Sequence, residues 1–247
     1  LGSKLTGILN GIDLDIWNPQ TDTHIAQNYS VDKAFTEGKA ANKKDLLRRT
    51  ELPQSDAPLL GFVGRLVEQK GVDLITTVLP QLFENTDANM VVLGSGHIAY
   101  ETDLLDLEAK YPARLHVQIG YSEELAHQIE AGVDMFIMPS RFEPCGLNQM
   151  YSLRYGTPPV VNNTGGLADT VVDVSLQTLQ NKTATGFVAK QTDAESLYSI
   201  LLSALDLYRN KKLWQQLCKT AMQQELGWDA SAREYHKLYQ AEVDAKQ

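Results

Sequence analysis

The chain has 247 residues, of which 43% are hydrophobic, and this is enough for one large α/β domain or two small ones. Its formal net charge of −9 argues against nucleic acid or an anionic membrane as a primary partner, and no apolar run approaches the length of a membrane span. Its two cysteines, Cys145 and Cys218, lie far apart in the sequence. We therefore expect a reduced, cytoplasmic protein that binds neither nucleic acid nor a membrane.

In chain order, a polar region at 21–49, with a helix at about 39–49, precedes an alternation of short apolar runs and amphipathic stretches. The apolar runs predict strands at 58–63, 89–94, 115–119, 135–138 and 157–161. The amphipathic stretches predict helices at 72–83, 99–111, 123–131 and 146–155. This alternation predicts an α/β fold, a Rossmann-like parallel sheet with helices on both faces.

The last third of the chain is predicted to be helical. One helix follows Thr192-Asp193-Ala194-Glu195, which has the pattern of a capping box. A second is predicted at 211–225, and a third follows Asp229, with Trp228, Tyr235 and Tyr239 on one face. Those aromatic side chains need a surface to pack against.

Four of the predicted strands are followed by loops that carry glycine or a charged residue. These loops contain Gly64-Arg65, Gly94-Ser95-Gly96, Gly120-Tyr121 and Ser140-Arg141. Ligands of parallel sheets bind beyond the carboxyl ends of the strands, so the four loops predict one binding crevice.

The segment 140–147 (Ser-Arg-Phe-Glu-Pro-Cys-Gly-Leu) joins a predicted strand to a predicted helix. Pro144 fits the first position of a helix that begins at about Cys145, which would leave the backbone N–H groups of Cys145, Gly146 and Leu147 free to hold an anion. Glu143 beside them can accept hydrogen bonds from sugar hydroxyls. A sugar bound through a phosphate needs both parts, although an ordinary strand-to-helix turn is the alternative interpretation.

Two further loops favour a phosphate ligand. Arg65 and Lys70 lie five positions apart between Gly64 and Gly71, and on a loop both cations can reach one diphosphate and stabilise it as a leaving group without a metal. Solvated surface charges are the alternative for either residue alone. The segment Thr164-Gly165-Gly166 follows the last predicted strand and provides a second set of backbone donors.

A competing motif is Gly94-Ser95-Gly96-His97-Ile98-Ala99, which matches the dinucleotide fingerprint of dehydrogenases. That fingerprint requires an acidic residue at the end of the next strand, whereas here the strand ends at Ile119-Gly120-Tyr121 and no acid occurs before Glu123. An aromatic residue at this place suits stacking on a base. We therefore interpret the Gly-Ser-Gly run as a turn close to a nucleotide, with an NAD-binding domain as the alternative.

Neither a metal site nor a cysteine nucleophile is predicted. The five histidines show no ligand spacing. Cys145 is expected at a helix start, where a thiolate would be stabilised, but no histidine lies near it in sequence.

Several motifs now occur together in one order: Asn10-Gly11-Ile12-Asp13 with Trp17-Asn18-Pro19; Gly64-Arg65-Leu66 with Gln69-Lys70-Gly71; Gly120-Tyr121; the segment 139–147; and Thr164-Gly165-Gly166-Leu167-Ala168-Asp169-Thr170-Val171. In this order they resemble the C-terminal half of bacterial glycogen synthases and plant starch synthases, over nearly the whole chain. The resemblance implies the C-terminal, donor-binding domain of a GT-B fold. It also implies transfer of glucose from ADP-glucose to the non-reducing end of an α-1,4-glucan, with retention and with no metal or other cofactor.

The resemblance also implies a role for each matching residue. Arg65, Lys70 and Glu143 are expected to be catalytic, the two cations at the diphosphate and Glu143 at the glucose hydroxyls. Tyr121 is expected to stack on adenine, and Asn10 to face the donor. The remaining residues expected to bind substrate are Ser140, Cys145, Gly146, Leu147, Thr164, Gly165 and Gly166.

Two positions depart from related patterns. Many retaining glycosyltransferases carry a second glutamate eight positions after the first, and Tyr151 stands there, as in the glycogen and starch synthase branch. Asn162 and Asn163 stand where bacterial members usually have a basic residue, so that loop is expected to contribute backbone donors but no charge.

Because the chain begins at Leu1 and lacks the family's Lys-x-Gly-Gly-Leu loop, it is expected to be a fragment whose partner is the N-terminal domain of the same enzyme. We expect residues 1–20 to be an inter-domain segment, 21–227 the nucleotide-sugar-binding domain, and 228–247 a crossover helix. Alone, the chain is expected to bind ADP or ADP-glucose weakly and to transfer no glucose. The alternatives are a GT-B transferase that uses a UDP-sugar and a non-catalytic nucleotide-binding module.

Overall fold

The computed structural model describes residues 5–244 and contains one six-stranded parallel sheet. Its strand order is β3-β2-β1-β4-β5-β6. The strands are β1 (Leu59–Leu66), β2 (Asn89–Gly96), β3 (Leu115–Ile119), β4 (Met135–Met138), β5 (Pro159–Asn162) and β6 (Phe187–Ala189). All five predicted strands are present, and the short strand β6 was not predicted.

Ten α-helices connect and follow the strands in the described part of the chain. They are α1 (Phe35–Arg49), α2 (Val72–Asn85), α3 (Ile98–Lys110), α4 (Glu123–Gly132), α5 (Asn148–Arg154), α6 (Gly165–Thr170), α7 (Leu176–Gln180), α8 (Ala194–Arg209), α9 (Lys211–Met222) and α10 (Trp228–Asp244). A 3₁₀ turn at Glu68–Lys70 links β1 to α2. No described helix is both long and apolar enough to cross a membrane.

Helices cover both faces of the sheet, as side-chain alternation along β4 shows. Met135 and Ile137 belong to a core shared with α2, α3, α8 and α9. Phe136 and Met138 belong to a second core on the other face, shared with α1, α4 and α6. Because both faces are buried, the strands are nearly continuous apolar runs. The predicted fold class, a Rossmann-like parallel sheet with helices on both faces, is confirmed.

The two longest strands extend beyond their predicted ends. Gly64 pairs with Gly94, and Leu66 pairs with Gly96, so the predicted Gly-Ser-Gly turn is part of β2. A Cβ on Gly94 would lie 2.0 Å from the carbonyl oxygen of Gly64, and one on Gly96 would lie 2.2 Å from that of Leu66. The glycines therefore let the two strands approach closely. Because glycine is also typical of turns, a turn was wrongly predicted here.

One predicted helix cap is also wrong. Asp193, not Thr192, caps α8, and its carboxylate accepts a hydrogen bond of 2.7 Å from the backbone N–H of Ser196. Aspartate and threonine are both good caps, and the helix begins one residue later than the capping-box pattern indicated.

The amino-terminal segment runs beside the start of α10. The N–H of Ile12 donates to the carbonyl of Leu226 over 2.8 Å, and the Ser231 hydroxyl donates to the carbonyl of Leu9 over 2.6 Å. On α10, the predicted aromatic residues Trp228, Tyr235 and Tyr239 are exposed. The predicted boundaries at 20/21 and 227/228 stay a prediction, and the outermost residues, 1–4 and 245–247, lie outside the described residues.

Candidate functional site

The centre of the sheet is a topological switch point. From β1 the chain proceeds to β2 and β3 on one side, and from β4 it proceeds to β5 and β6 on the other. Because the loops after β1 and β4 depart in opposite directions, a crevice forms between them at the carboxyl edge of the sheet. These two loops are 67–71 and 139–147, which carry most of the predicted site.

Lys70 and Glu143 form an ion pair in this crevice. The Lys70 Nζ lies 2.5 Å from Glu143 Oε2, and the side chains are only 17% and 10% exposed. The Ser140 hydroxyl, which is fully buried, lies 3.4 Å from the same carboxylate oxygen. Water screens a half-buried pair less than a surface pair, so this cation and this anion form a strongly polar point in the crevice.

Gly71 fixes the position of Lys70 relative to Glu143. The 3₁₀ turn that carries Lys70 ends at Gly71, whose φ of +70° is left-handed. A Cβ at Gly71 would lie 2.2 Å from the carbonyl oxygen of Pro139. Only glycine combines this backbone conformation with so close an approach of the two loops.

The two loops are joined by further hydrogen bonds on both sides of the ion pair. The N–H of Arg141 donates to the Gln69 carbonyl over 2.8 Å, and the Gln69 side chain donates to the Phe142 carbonyl over 2.9 Å. The guanidinium of Arg141 donates to both carboxylate oxygens of Asp73 at 2.6 Å and to the Glu68 carbonyl at 2.9 Å. The hydrogen bonds from Arg141 lower the pKa of Asp73, and those to Asp73 raise the pKa of Arg141. The loops after β1 and β4 therefore hold one fixed arrangement.

Asn162 supports the crevice from below. This side chain is fully buried at the end of β5, and its Nδ2 donates to the carbonyls of Pro139 (2.8 Å) and Ser140 (3.2 Å). Its Oδ1 is buried and has no hydrogen-bond partner among the described residues. Asn162 thus fixes the backbone just before Glu143.

The glycine pair after β5 packs against the backbone of Glu143. The N–H of Gly166 donates to the Glu143 carbonyl over 2.9 Å, and a Cβ at Gly165 would lie 2.1 Å from the same oxygen. The N–H of Thr164 is also occupied, since it donates to the Asn162 carbonyl over 2.9 Å. Of the three predicted donors, only the N–H of Gly165 donates to no described residue, so any phosphate contact here is limited to that group.

The helix after Glu143 begins later than predicted. α5 starts at Asn148, and Gly146 has a left-handed φ of +74°, so Pro144 is not a first helical residue. The Gln149 side chain, in the first turn of α5, donates to the carbonyls of Cys145 (2.9 Å) and Gly146 (3.1 Å), which holds them in a loop. The predicted helix start at Cys145 is therefore wrong.

The predicted backbone donors nevertheless remain available. The N–H groups of Cys145, Gly146 and Leu147 donate to no other residue in the described part of the chain. They follow Glu143 directly, in a loop instead of a helix end. Their role in binding substrate stays a prediction.

The other predicted residues lie around this centre. Arg65 is exposed on β1 and reaches the site through Gln69, with its Nη2 3.3 Å from Gln69 Oε1. Tyr121 is 81% exposed and follows Gly120, whose φ is +124°. Asn10 is exposed and lines a separate cleft of about 490 Å³ beside the start of α10. The structure brings together Lys70, Ser140 and Glu143, but shows no contact from Tyr121 or Asn10 to them.

Sequence reasoning missed the residues that position this site, which are Gln69, Asp73, Gln149 and Asn162. A polar residue at the end of an apolar strand, such as Asn162 after Val160 and Val161, is a signal that could have identified one of them. The others become visible only in three dimensions. Within residues 5–244, no group of three or more His, Cys, Asp or Glu side chains is placed to hold a metal ion.

Residues 43–222 match the family "Glycosyl transferases group 1". The chain is 51% identical over 244 residues to a glycogen synthase of Hydrogenovibrio crunogenus, covering 97% of this chain and 50% of that protein. It is also 51% identical to a glycogen synthase of Cellvibrio japonicus, covering 96% and 48%. The chain thus spans about half the length of the curated relatives it matches.

Solved structures give the same result. The catalytic domain of starch synthase IV from Arabidopsis thaliana, bound to ADP and acarbose, superposes with a TM-score of 0.89 at 34% identity, covering 98% of this chain and 50% of that one. Anabaena HepE in complex with UDP-glucose superposes with a TM-score of 0.65 at 15% identity, covering 96% and 57%, and shares the fold alone. This chain belongs to the group 1 glycosyltransferases and is similar to one half of the glycogen and starch synthases.

Proposed function

We propose that this chain is the donor-binding half of a glycogen synthase, which transfers glucose from ADP-glucose to the non-reducing end of an α-1,4-glucan with retention. The observation that carries the proposal is the Lys70–Glu143 pair at the switch point of the sheet, 2.5 Å apart. The family and the 51% identical glycogen synthases support it.

The pair supplies the two functions that a nucleotide sugar requires at one point. Glu143 accepts one of the three N–H donors of the Lys70 ammonium, and no other described residue accepts from it, so the remaining donors can bind diphosphate oxygens. As the bond from glucose to the diphosphate breaks, negative charge grows on the departing ADP, and the fixed cation stabilises it, together with Arg65. We propose no metal for this step.

Glu143 is assigned to the glucose. A carboxylate accepts hydrogen bonds from two hydroxyl groups, and its backbone is held by Gly166 on one side while Asn162 holds the preceding residues. The N–H groups of Cys145, Gly146 and Leu147 donate beside it. A rigid acceptor suits a sugar because little ordering remains to be done on binding.

ADP is favoured over UDP as the nucleotide. The starch synthase at 34% identity is bound to ADP, whereas the UDP-glucose complex shares only 15% identity. The exposed ring of Tyr121 offers a face for stacking, and a purine has the larger area to stack.

The proposal also includes the glucan acceptor and the other half of the enzyme. The curated relatives are about twice as long as this chain, and we assign their other half to the N-terminal domain, which contributes to the glucan site. Residues 1–20 and 228–247 would link the two halves, with Asn10 facing the donor. Cys145 and Cys218 form no disulfide, in keeping with a cytoplasmic enzyme.

The first experiment is a calorimetric titration of the chain with ADP, UDP and NAD. We expect ADP to bind most tightly, and Lys70→Gln to weaken ADP at least tenfold, while Lys212→Gln on the surface of α9 leaves it within twofold. Tyr121→Ala should weaken ADP by about tenfold through lost stacking, and the control Tyr239→Ala should not. Tighter binding of NAD than ADP would overturn the proposal, and tighter binding of UDP would favour a UDP-sugar enzyme.

A second titration separates the sugar from the nucleotide. Glu143→Gln removes a negative charge beside the diphosphate, so ADP should bind as well as before or a few-fold tighter. The preference for ADP-glucose over ADP should disappear, because the variant accepts hydrogen bonds less strongly. An equal loss of both affinities would contradict the assignment of Glu143 to the glucose.

Activity is tested with a fusion. The chain joined to the N-terminal half of the Hydrogenovibrio crunogenus relative should transfer labelled glucose from ADP-glucose to glycogen, also in EDTA. The unfused chain should transfer none. Transfer by the unfused chain would show that the proposed division of the enzyme is wrong.

A further inference from the structure

A second cavity lies at the opposite edge of the sheet from the Lys70–Glu143 pair. It has a volume of about 720 Å³ and lies between α1 and the junction of α8 and α9. Side chains bridge it: the Lys43 ammonium donates to the Tyr208 hydroxyl over 3.3 Å, and the Gln215 amide donates to the Thr36 hydroxyl over 2.8 Å. Asp134, which directly precedes β4, forms part of its floor.

The walls of this cavity are largely apolar. Phe35 and Leu47 line it from α1, and Tyr208, Trp214 and Cys218 line it from α8 and α9. Small-molecule sites typically have volumes of about 300–1,000 Å³ and apolar walls with a few convergent polar groups. The cavity falls within that class.

The charge of the residues that line the cavity is unusual for this protein. Four lysines and two aspartates line it, namely Lys39, Lys43, Lys44, Lys211, Asp56 and Asp134, whereas the whole chain has a net charge of −9. The cavity is therefore a local positive region in an acidic protein. Such a region attracts anions.

The lysines have too few counter-ions. Asp134 is paired with Lys43 at 2.6 Å, and Lys211 lies over the ring of Tyr208, 3.2 Å from its centroid. Burial lowers the pKa of Lys39 to about 8, and the positive charge of Lys43 acts in the same direction. Burial also lowers the pKa of Lys211, again with a contribution from Lys43. Four ammonium groups thus share this cavity with two carboxylates, those of Asp56 and Asp134, and an added anion would offset the excess positive charge.

We propose that this cavity is a second ligand site, which binds a small organic anion that carries an apolar ring. The anionic group lies near Lys211 and Lys44 at the mouth, where both side chains are exposed. The ring lies against the aromatic and aliphatic wall. The site is separate from the proposed donor site, because Asp134 and Ser140 are six positions apart along a nearly extended chain, at about 3.3 Å per position.

The test uses 8-anilino-1-naphthalenesulfonate, a fluorescent aromatic sulfonate, as the probe. We expect one molecule to bind per chain, and saturating ADP to change its dissociation constant by less than twofold. Lys211→Glu should weaken the probe at least fivefold. Ala40→Trp, which fills the cavity from an exposed position on α1, should abolish binding.

Matched controls separate the cavity from other surfaces. Lys212→Glu has the same charge change one residue away, and Ala232→Trp adds the same bulk to α10, so both should leave the probe within twofold. Circular dichroism and thermal unfolding of each variant verify folding. Displacement of the probe by ADP, undiminished binding to Ala40→Trp, or equal effects of Lys211→Glu and Lys212→Glu would each overturn the proposal. Displacement by inorganic phosphate at probe-like concentrations would also overturn it, since that would show that no ring is needed.

Discussion

Arg141 donates two hydrogen bonds of 2.6 Å to the two carboxylate oxygens of Asp73, and so joins the loop after β4 to the first turn of α2. Neither residue belongs to the Lys70–Glu143 pair, yet the bridge spans the two loops that carry it. A planar guanidinium and a carboxylate fix both distance and direction, which a single ammonium contact does not.

This bridge predicts an effect of Arg141→Lys on binding. Lysine keeps the charge but loses the two-pronged contact, so we expect ADP to bind several-fold more weakly, with a loss of unfolding free energy of only about 1 kcal/mol because the pair is partly exposed. Calorimetry and thermal unfolding measure the two effects. Arg209→Lys, in an exposed pair with Asp206, is the control and should change neither. Unchanged ADP affinity in Arg141→Lys would show that the bridge does not position the site.

Gly71→Ala should displace Lys70. The left-handed backbone and the 2.2 Å approach to the Pro139 carbonyl leave no room for a methyl group. We expect a loss of roughly 1–3 kcal/mol in unfolding free energy, together with at least a tenfold loss of ADP affinity. Gly7→Ala, where a Cβ would meet nothing within 4 Å, is the matched control. Wild-type affinity in Gly71→Ala would mean that the close contact of the loops is not required.

Asn162→Ala tests the support below the crevice. The substitution leaves the buried carbonyls of Pro139 and Ser140 without their shared donor and opens a small cavity, so we expect a loss of about 2 kcal/mol or more. The neighbouring Asn163→Ala, at an exposed position, should cost far less. Chemical denaturation of the three proteins gives the comparison. Equal stabilities of the two variants would contradict the assigned role.

Glu130 should make stability depend on pH. This side chain is buried in α4, and burial raises its pKa to about 8. The unfolded glutamate has a pKa near 4.3, so its contribution to stability is fully present below that value and is lost as the pH rises towards 8. The Glu130→Gln variant lacks this titration, so its stability relative to the wild type should increase between pH 5 and pH 8. Thermal unfolding across this range measures the difference.

The control for this titration is Glu242→Gln on the exposed part of α10. Its stability relative to the wild type should stay constant over the same pH range. A Glu130→Gln curve that runs parallel to the wild-type curve would show that Glu130 does not titrate there.

The sheet was predictable because its strands are buried on both faces, which leaves continuous apolar runs such as 135–138. The site loops were predictable because they follow those strands. The start of α5 was not predicted, since Pro144 favours a helix start one residue later, whereas Gly146 is left-handed and the Gln149 side chain binds the carbonyls of Cys145 and Gly146. The strand β6 was not predicted because three residues form no recognisable pattern. The pairing of Lys70 with Glu143 and that of Arg141 with Asp73 were not predicted, because the partners are about seventy positions apart in sequence.

The attachment of residues 9–12 to the start of α10 has a mechanical consequence. The bridge between Ile12 and Gly227 is parallel. Two hydrogen bonds, from Ile12 to Leu226 and from Ser231 to Leu9, join the same two segments. A force that pulls the amino end against the far end of α10 therefore loads these bonds in shear, all at once, and not one after another. The two ends of the chain should thus transmit tension to each other directly, while the sheet between them carries little of the load.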